Sequence, residues 1–566
     1  MPVPAFWQRI EDRYRSWLSN HFLLHSNMND LIYDDVHGYL FTKDYLMEQM
    51  NRLGCDAVLY YSRSEGVLFP SLGLRSAYQN ALKLPRIEEI EPIPENMPPV
   101  KRINEGLRHV GEEKLIRDPD EVFLTLERFF RQEMGNLKVG LLLNEVERFA
   151  TGSLYVETML RWASDVYMRL RGHIVLYLTN NIASVAPEIL SSDAVFPVEI
   201  PLPTYDERLA YVKHLLYLPE DEYKLELPEG MLSEHFASMT HGLNLMDIQT
   251  LWVTAKWRKT PASPIMVVYQ NREAIRTRSQ GRLELVFGEH GLNAVGGLGY
   301  VISYMGNIIQ AMKNGDTKKV PMGILMVGPP GTGKTNLIHA LARDMGIHIV
   351  RVKDISGSDW DIYRMSLVIR SLAPVIAFMD EIDKVGAPAE SFIRFMSDPA
   401  LRGKVLWVAA SNKPDAIHPE FRRRGRLDDV VPFILPDSAE REDILKKLFS
   451  RNAIPYDATI NFSGVASRTE YCSGADLEII VMRSYQNARN ENRDTVTELD
   501  LVRAVAEFIH DYEPYTYEQM MLLAMKEANF ARLVPEPMHR LLRDKIYEDG
   551  RLSKAKINKR LGELKV

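Results

Sequence analysis

The chain has 566 residues, too many for one core, so several domains are expected. Its 46% apolar and 26% charged residues fit a soluble globular protein, and a net charge of −7 gives no overall attraction to nucleic acid or to an acidic membrane. Two cysteines, Cys55 and Cys472, exclude a disulfide framework or zinc site and fit a reducing compartment. Met1 to Trp17 is charged throughout, unlike a signal peptide, and no apolar run reaches the ~18 residues of a membrane span, so a cytoplasmic location is expected.

In chain order, Trp7, Ile10, Tyr14, Trp17 and Phe22 recur at helical spacing. They predict a helical segment over 1–45 whose aromatic stripe packs into a core or docks a partner. An α/β domain is expected over 46–204. Ala57 to Tyr61 reads as a buried strand, but the turn after it, Ser62-Arg63-Ser64-Glu65-Gly66, contains no Gly-Lys-Ser/Thr. Six prolines predict an extended connection over 85–120 (Pro85, Pro92, Pro94, Pro98, Pro99 and Pro119). Helical spacing returns from Val122 to Phe130 and leads into a strand from Val139 to Leu143. Over 205–260, Leu209, Val212, Leu215 and Leu216 share one face and predict a small helical lid. Pro261 and Pro264 open a linker that extends to 290.

The strand Ile324 to Val327 runs into Gly328-Pro329-Pro330-Gly331-Thr332-Gly333-Lys334-Thr335-Asn336, and Leu337, Ile338 and Leu341 then follow at helical spacing. Strand, glycine turn and helix in this order form a phosphate cradle, in which backbone N–H groups wrap the anion and the helix N-terminus favours its charge. Lys334 is placed to reach the β- and γ-phosphates, and the Thr335 hydroxyl to ligate Mg²⁺. Ala373 to Met379, an apolar strand, ends in Asp380-Glu381-Ile382-Asp383. Asp380 at its tip can hold the Mg²⁺ shell and Glu381 can polarise an attacking water. Asn412, at the end of the next apolar strand, can hydrogen-bond the γ-phosphate or that water. Arg422, Arg423, Arg424 and Arg426 then surround Gly425, as arginine does where phosphoryl-transfer charge is stabilised from a neighbouring subunit.

The first half repeats the second. Val139 to Glu145 resembles Val375 to Glu381, and Ile174 to Asn180 resembles Val405 to Asn412. Asn180 and Asn412, Pro187 and Pro419, and Gly242 and Gly474 all lie 232 residues apart. A constant separation over three landmarks predicts two tandem modules. The first has no P-loop lysine, has Asn144 in place of Asp380, and has Ser191 and Ala194 opposite Arg423 and Arg426.

Together these motifs resemble an AAA ATPase of the AAA+ superfamily. Gly328 to Thr335 corresponds to its Walker A motif, Val375 to Asp383 to Walker B, and Ser411-Asn412 to sensor 1. The resemblance implies an α/β fold of two tandem AAA+ modules, each a parallel sheet flanked by helices with a small helical lid, plus a helical C-terminal extension. The second module would span 291–436 with its lid over 437–510, and the extension 511–566, with helices over Tyr515 to Leu533, Met538 to Ile546 and Arg551 to Lys565. It further implies that Val295 and Gly296 pack against adenine, that Gly474 and Ala475 close over the nucleotide, and that Arg423 and Arg426 are fingers offered to a neighbour. ATP and Mg²⁺ are the implied cofactors, a homo-oligomer, hexameric by analogy, the implied assembly, and a protein substrate or adaptor the implied partner. The family's aromatic pore loop is shortened in Ser356 to Arg364, where Trp360 and Tyr363 are the aromatics present. The expected function is ATP-driven remodelling of a protein or protein assembly. A nucleotide-gated scaffold with slow hydrolysis is the alternative, and a DNA loader or initiator a more distant one.

Overall fold

Short runs of buried apolar residues build a six-stranded sheet in each of two units of the computed structural model, Met1–Gln270 and Asn271–Val566. The structure describes residues 2–69, 117–128, 130, 137–149, 153–218, 225–529, 533, 546–548 and 551–564. Apart from their ends, the extended stretch expected over 85–120 and the helix expected from Met538 to Ile546 lie outside the described residues.

The first unit contains β1 (His21–Ser26), β2 (Leu31–Asp34), β3 (Gly38–Phe41), β4 (Ala57–Ser62), β5 (Gly66–Leu68), β6 (Val139–Leu143), β7 (Ile174–Thr179) and β8 (Phe196–Ile200). Its sheet runs β5-β4-β6-β7-β1-β8, parallel except for β5, while β2 and β3 form a separate hairpin. Strands β4, β6 and β7 are buried at every position, as parallel strands covered on both faces must be. Alternate side chains feed two cores. Leu23, Leu59, Leu141 and Val175 enter one, Phe22, Val58, Leu142 and Leu176 the other.

The second unit contains β9 (Leu283–Leu285), β10 (Gly323–Val327), β11 (His348–Val352), β12 (Val375–Met379), β13 (Val405–Ser411) and β14 (Asp429–Pro432). Its sheet runs β14-β10-β13-β12-β11-β9, again parallel except for the last strand. The two orders correspond strand for strand, so the counterpart of β10, which carries the glycine loop, is β1. The registers agree: His25 sits beside Thr179 as Val327 sits beside Ser411. After β6 and after β12, Glu145 and Glu381 both adopt a left-handed backbone, with φ of 55° and 49°.

These findings alter three sequence expectations. Residues 1–45 are not a separate helical segment. A helix spans Ala5–Arg15 and buries Phe6, Trp7 and Ile10, but β1 follows and sits inside the sheet. Phe22 belongs to that strand, and Trp17 is 55% exposed. The linker expected over 261–290 contains the helix Pro264–Arg278 and β9, which closes the second sheet's edge against β11. Finally, the landmark pairing Gly242 with Gly474 shifts by three residues. The helices Leu245–Trp257 and Gly474–Asn490 both start at a capping box, Asn244 with Asp247 and Ser473 with Asp476, so the matching separation there is 229, from Asn244 to Ser473.

Helices follow each sheet: Tyr205–Leu216, Ser233–Met239 and Leu245–Trp257 in the first unit; Ser438–Arg451, Phe462–Ala466, Gly474–Asn490 and Glu498–Glu507 in the second. The first helix of each set has a capping box and then a buried arginine. Arg208 donates to the Pro203 carbonyl at 2.7 Å and Arg441 to the Pro436 carbonyl at 2.8 Å. Arg441 also donates twice to the Ala466 carbonyl, at 3.1 and 2.9 Å, joining two lid helices. In the C-terminal part, Pro514–Glu527 packs Tyr517, Met521 and Leu522 against Ile557 and Leu561 of Lys554–Glu563.

A buried carbonyl left without its donor costs about 1–3 kcal/mol. Arg441→Met is therefore expected to destabilise the second unit by about that amount, read as an earlier midpoint of its urea transition and an unchanged first-unit transition.

Candidate active site

At the C-terminal ends of β10, β12 and β13 lies a cavity of about 490 Å³. It falls where open parallel sheets place their ligands, beyond the carboxyl ends of the strands. The loop after β10 forms its floor. Gly331 and Gly333 have φ of 75° and 87°, and a Cβ on Gly331 would lie 2.3 Å from Ser473 Oγ. Only glycine fits there, and the space it leaves is what anion-binding N–H groups need.

Lys334 is 7% exposed at the start of the helix Lys334–Asp344, and its Nζ donates to the carbonyls of Gly328 at 2.9 Å and Pro329 at 2.7 Å. Burial pushes its ammonium down to about 8, partly opposed by the charges of Asp380 and Asp383. Thr335 donates to Asp380 at 3.2 Å, bringing together the two residues assigned to Mg²⁺. Ser411 donates to Asp383 at 2.6 Å and ties β13 to the turn after β12. Asn412 lines the same cavity, and its Oδ1 is buried without a hydrogen-bond partner among the described residues. A glycine cradle, a buried lysine, a Thr–Asp pair and an orphaned amide oxygen fit a nucleoside triphosphate with Mg²⁺. Pro330, Thr332 and Asn336 complete the loop side of the wall.

Opposite the loop, Val295 and Gly296 pack onto the helix Ser438–Arg451. A Cβ on Gly296 would lie 2.8 Å from Ile444 Cα, and Lys447 donates to the Val295 carbonyl at 2.9 Å. Gly474 and Ala475 begin the helix that closes the cavity, and Ala475 N–H donates to the Gly331 carbonyl at 3.3 Å.

The expected fingers differ in their surroundings. The Arg423 side chain is 66% exposed and holds Glu420 at 2.9 Å. Arg426 is 13% exposed, and turns inward to Glu420 at 2.6 Å and Ser397 at 3.0 Å. Trp360 and Tyr363 lie edge to face in the first turns of the capped helix Asp359–Ser371, with no loop between Ser358 and the helix.

Three site residues went unread in the sequence. Arg351 on β11 reaches Asp380 at 3.2 Å; its sequence signal is a cation between the apolar Val350 and Val352. Lys384 holds the Glu381 carboxylate at 2.6 Å, an i,i+3 pair visible once the short helix Ile382–Lys384 is known. Glu440, the capping-box partner of Asp437, faces the cavity, where burial pushes its carboxyl up to about 7.

The corresponding place in the first unit is filled differently. Beyond β1, Asp30 stands as far from His25 as Thr332 does from Val327. It is 2% exposed, and its carboxylate accepts from Asn27 Nδ2 at 2.6 Å, Leu31 N–H at 2.8 Å and Met246 N–H at 3.1 Å. A side chain of the chain itself thus caps the helix Leu245–Trp257 at the point where Ala475 meets the glycine loop in the second unit. The cavity beside it, between Phe6, Ile200, Pro203 and Leu245, is about 140 Å³.

Residues 324–435 match the family model "ATPase family associated with various cellular activities (AAA)", and residues 1–201 match "AAA+ chaperone, N-terminal Rossmann-like domain". Among curated proteins, the chain is 32% identical over 209 residues to the proteasome-activating nucleotidase of Pyrococcus horikoshii, covering 33% of this chain and 51% of that one. It is 30% identical over 258 residues to the ATP-dependent zinc metalloprotease FtsH of Caldicellulosiruptor bescii, covering 39% and 41%. With the chloroplastic ATP-dependent zinc metalloprotease FTSH 9 of Arabidopsis thaliana it shares 30% identity over 237 residues, covering 37% and 29%. The chain therefore spans about half or less of the length of these relatives. Among the described residues no helix is long and apolar enough to cross a membrane.

Glu440 provides a pH signature. Its carboxyl is raised in the folded state, so the stability it contributes is complete below about pH 4.5 and is lost as pH rises through about 7. Glu440→Gln should flatten the fall in the second unit's Tm between pH 5 and pH 8, measured by calorimetry.

Proposed function

From a chain that carries an AAA ATPase domain and an AAA+ chaperone N-terminal domain, we infer an ATP-hydrolysing machine with one working nucleotide site per chain, acting on a protein or protein assembly. The observation that carries this reading is the convergence of Lys334, Thr335, Asp380, Glu381 and Asn412 on one glycine-floored cavity. ATP seats its phosphates on the Gly328–Thr335 loop, with Lys334 turning from the loop carbonyls to the β- and γ-phosphates. Thr335 and Asp380 would hold Mg²⁺, which when bound would offset phosphate charge. Glu381 orients and polarises the attacking water, and Asn412 fixes the γ-phosphate or the water. Phosphoryl transfer of this kind depends on positioning and on charge placed where the γ-phosphoryl develops it. Arg423, exposed on the protein surface, is the residue offered to a neighbouring subunit's site, and Arg426 braces the same turn through Glu420. The assembly is a ring in which each site is shared between two copies.

The first unit is a decayed copy of the second. Support comes from the equal strand orders, the left-handed Glu145 and Glu381, and the paired arginines Arg208 and Arg441. Asp30 fills its phosphate seat, because it stands at the loop position of Thr332 and a buried carboxylate there repels a second anion. The first unit is then scaffold and recruiting surface. The helix that starts directly at Ser358 favours a second reading, a nucleotide-gated assembly that does not thread its partner.

Lys334→Ala and Glu381→Gln should each abolish ATP turnover in the full chain, and a labelled-nucleotide titration of the wild type should saturate at one per chain. Turnover near wild type in either variant, or a second equivalent bound, contradicts the single-site reading. Turnover that rises steeply with protein concentration supports the shared site, and a substrate-unfolding assay separates remodelling from scaffolding.

A further inference from the structure

The segment that presents Arg423 does not stand on its own. It is anchored from beneath by Phe421 (0% exposed) and Leu427 (5%), which enter the same core as Ala524 of the helix Pro514–Glu527. On its flanks it is held by residues at the end of that helix. Glu527 pairs with Arg422, the residue before the finger. Asn529 uses both ends of its amide: Nδ2 donates to the Asp428 carbonyl, and Oδ1 accepts from Val430 N–H at 3.1 Å. Val430 lies on β14, the outermost strand on the β10 side, so Asn529 takes a backbone group that no neighbouring strand reaches. The two ties bracket Arg423–Leu427. Within that bracket the turn depends on Gly425 at φ 85°, whose N–H donates to Asp428 at 2.7 Å.

We propose that Glu527 and Asn529 are positioning residues that hold the arginine finger in register, so that the C-terminal extension sets hydrolysis in the neighbouring subunit. The proposal rests on the shared-site reading above. A long cationic side chain contributes to phosphoryl transfer only when its backbone is already in place, and a misplacement near 1 Å can cost on the order of 10²-fold in rate. Neither residue lines the cavity of its own chain, whose P-loop, Asp380 and Glu381 lie elsewhere. Loss of the ties therefore weakens the neighbour's site and leaves the chain's own pocket intact.

Mixing variants of the full chain tests this. Glu527→Gln/Asn529→Ala should lower ATP turnover by about tenfold while leaving affinity for a fluorescent ATP analogue unchanged. Glu381→Gln has no working site of its own but keeps an intact finger. Mixed with the double variant, it should restore turnover severalfold per double-variant chain, as it should with Arg423→Ala as control. If the control mixture recovers and the double-variant mixture does not, the defect lies in the chain's own pocket and the proposal is overturned. Wild-type turnover in the unmixed double variant overturns it as well. If the control mixture gains nothing, the shared-site reading falls first and takes this inference with it. Should the double variant bind nucleotide poorly, the charge swap Arg422→Glu/Glu527→Arg replaces it. Single Arg422→Glu should be slow and rescued by Glu381→Gln, and the swap should restore turnover unaided; a swap as slow as the single change counts against the clamp.

Discussion

The active cavity depends on how closely one glycine lets two elements approach. At Gly331 the loop after β10 turns with φ of 75°, and the start of the helix Gly474–Asn490 lies against it, with Ser473 Oγ where a Cβ would be. The Ala475 N–H bond to the Gly331 carbonyl crosses the same contact. Any larger residue at 331 pushes the lid helix off the loop and tilts the loop's N–H groups away from the anion. Lys334, Thr335 and Asp380 are grouped correctly only because that floor is in place.

In the first unit the same junction is made by a side chain. Asp30 spans from its own loop to Met246 N–H, and Asn27 joins it through Asn244 at 3.0 Å. In the second unit the corresponding group, the Ala475 N–H, donates to the Gly331 carbonyl. In the first unit the Met246 N–H is met by the Asp30 carboxylate, so the junction there depends on the side chain of residue 30.

Local chemistry was legible in the sequence, whereas sheet order was not. The glycine loop, Asp380-Glu381 and Asn412 were readable because each is a short string whose chemistry demands those residues at the tip of an apolar strand. β6, β7, β10, β12 and β13 were readable as continuous apolar runs, which buried parallel strands require. β1 was missed because His21 and Ser26 flank a brief apolar stretch directly after an amphipathic helix, so Phe22 fitted the helical period equally well. Without β1 the strand left to answer to β10 is β4, which lies beside β6 and is separated from β1 by two strands, β6 and β7. Strand order arises from contacts far apart in sequence, and periodicity carries no information about it. Gly242 was matched to Gly474 by letter, while the helix starts are fixed by the caps Asn244 and Ser473. Arg351 and Glu440 became visible only when folding brought distant segments together.

The two units keep the same backbone devices where their cavity residues differ. The buried Arg208 and the capping box at Thr204 and Glu207 stabilise backbone geometry in the first unit, which also holds Glu145 in a left-handed conformation. Their counterparts Arg441, the Asp437–Glu440 box and Glu381 lie in the same places in the second unit, where Glu381 and Glu440 border the cavity. Folding therefore constrains these positions in both halves. Lys334 and Asp380 are different: a buried ammonium is a costly group, held here by the carbonyls of Gly328 and Pro329, and the partly exposed Asp380 carboxylate is paired with Arg351. At the place of Asp380 the first unit has Asn144, bonded to the Tyr60 hydroxyl at 2.9 Å, and at the loop position of Thr332 it has Asp30, whose carboxylate its own backbone satisfies. What the two halves share is thus a set of backbone devices, and what differs is the set of side chains at the ends of the central strands.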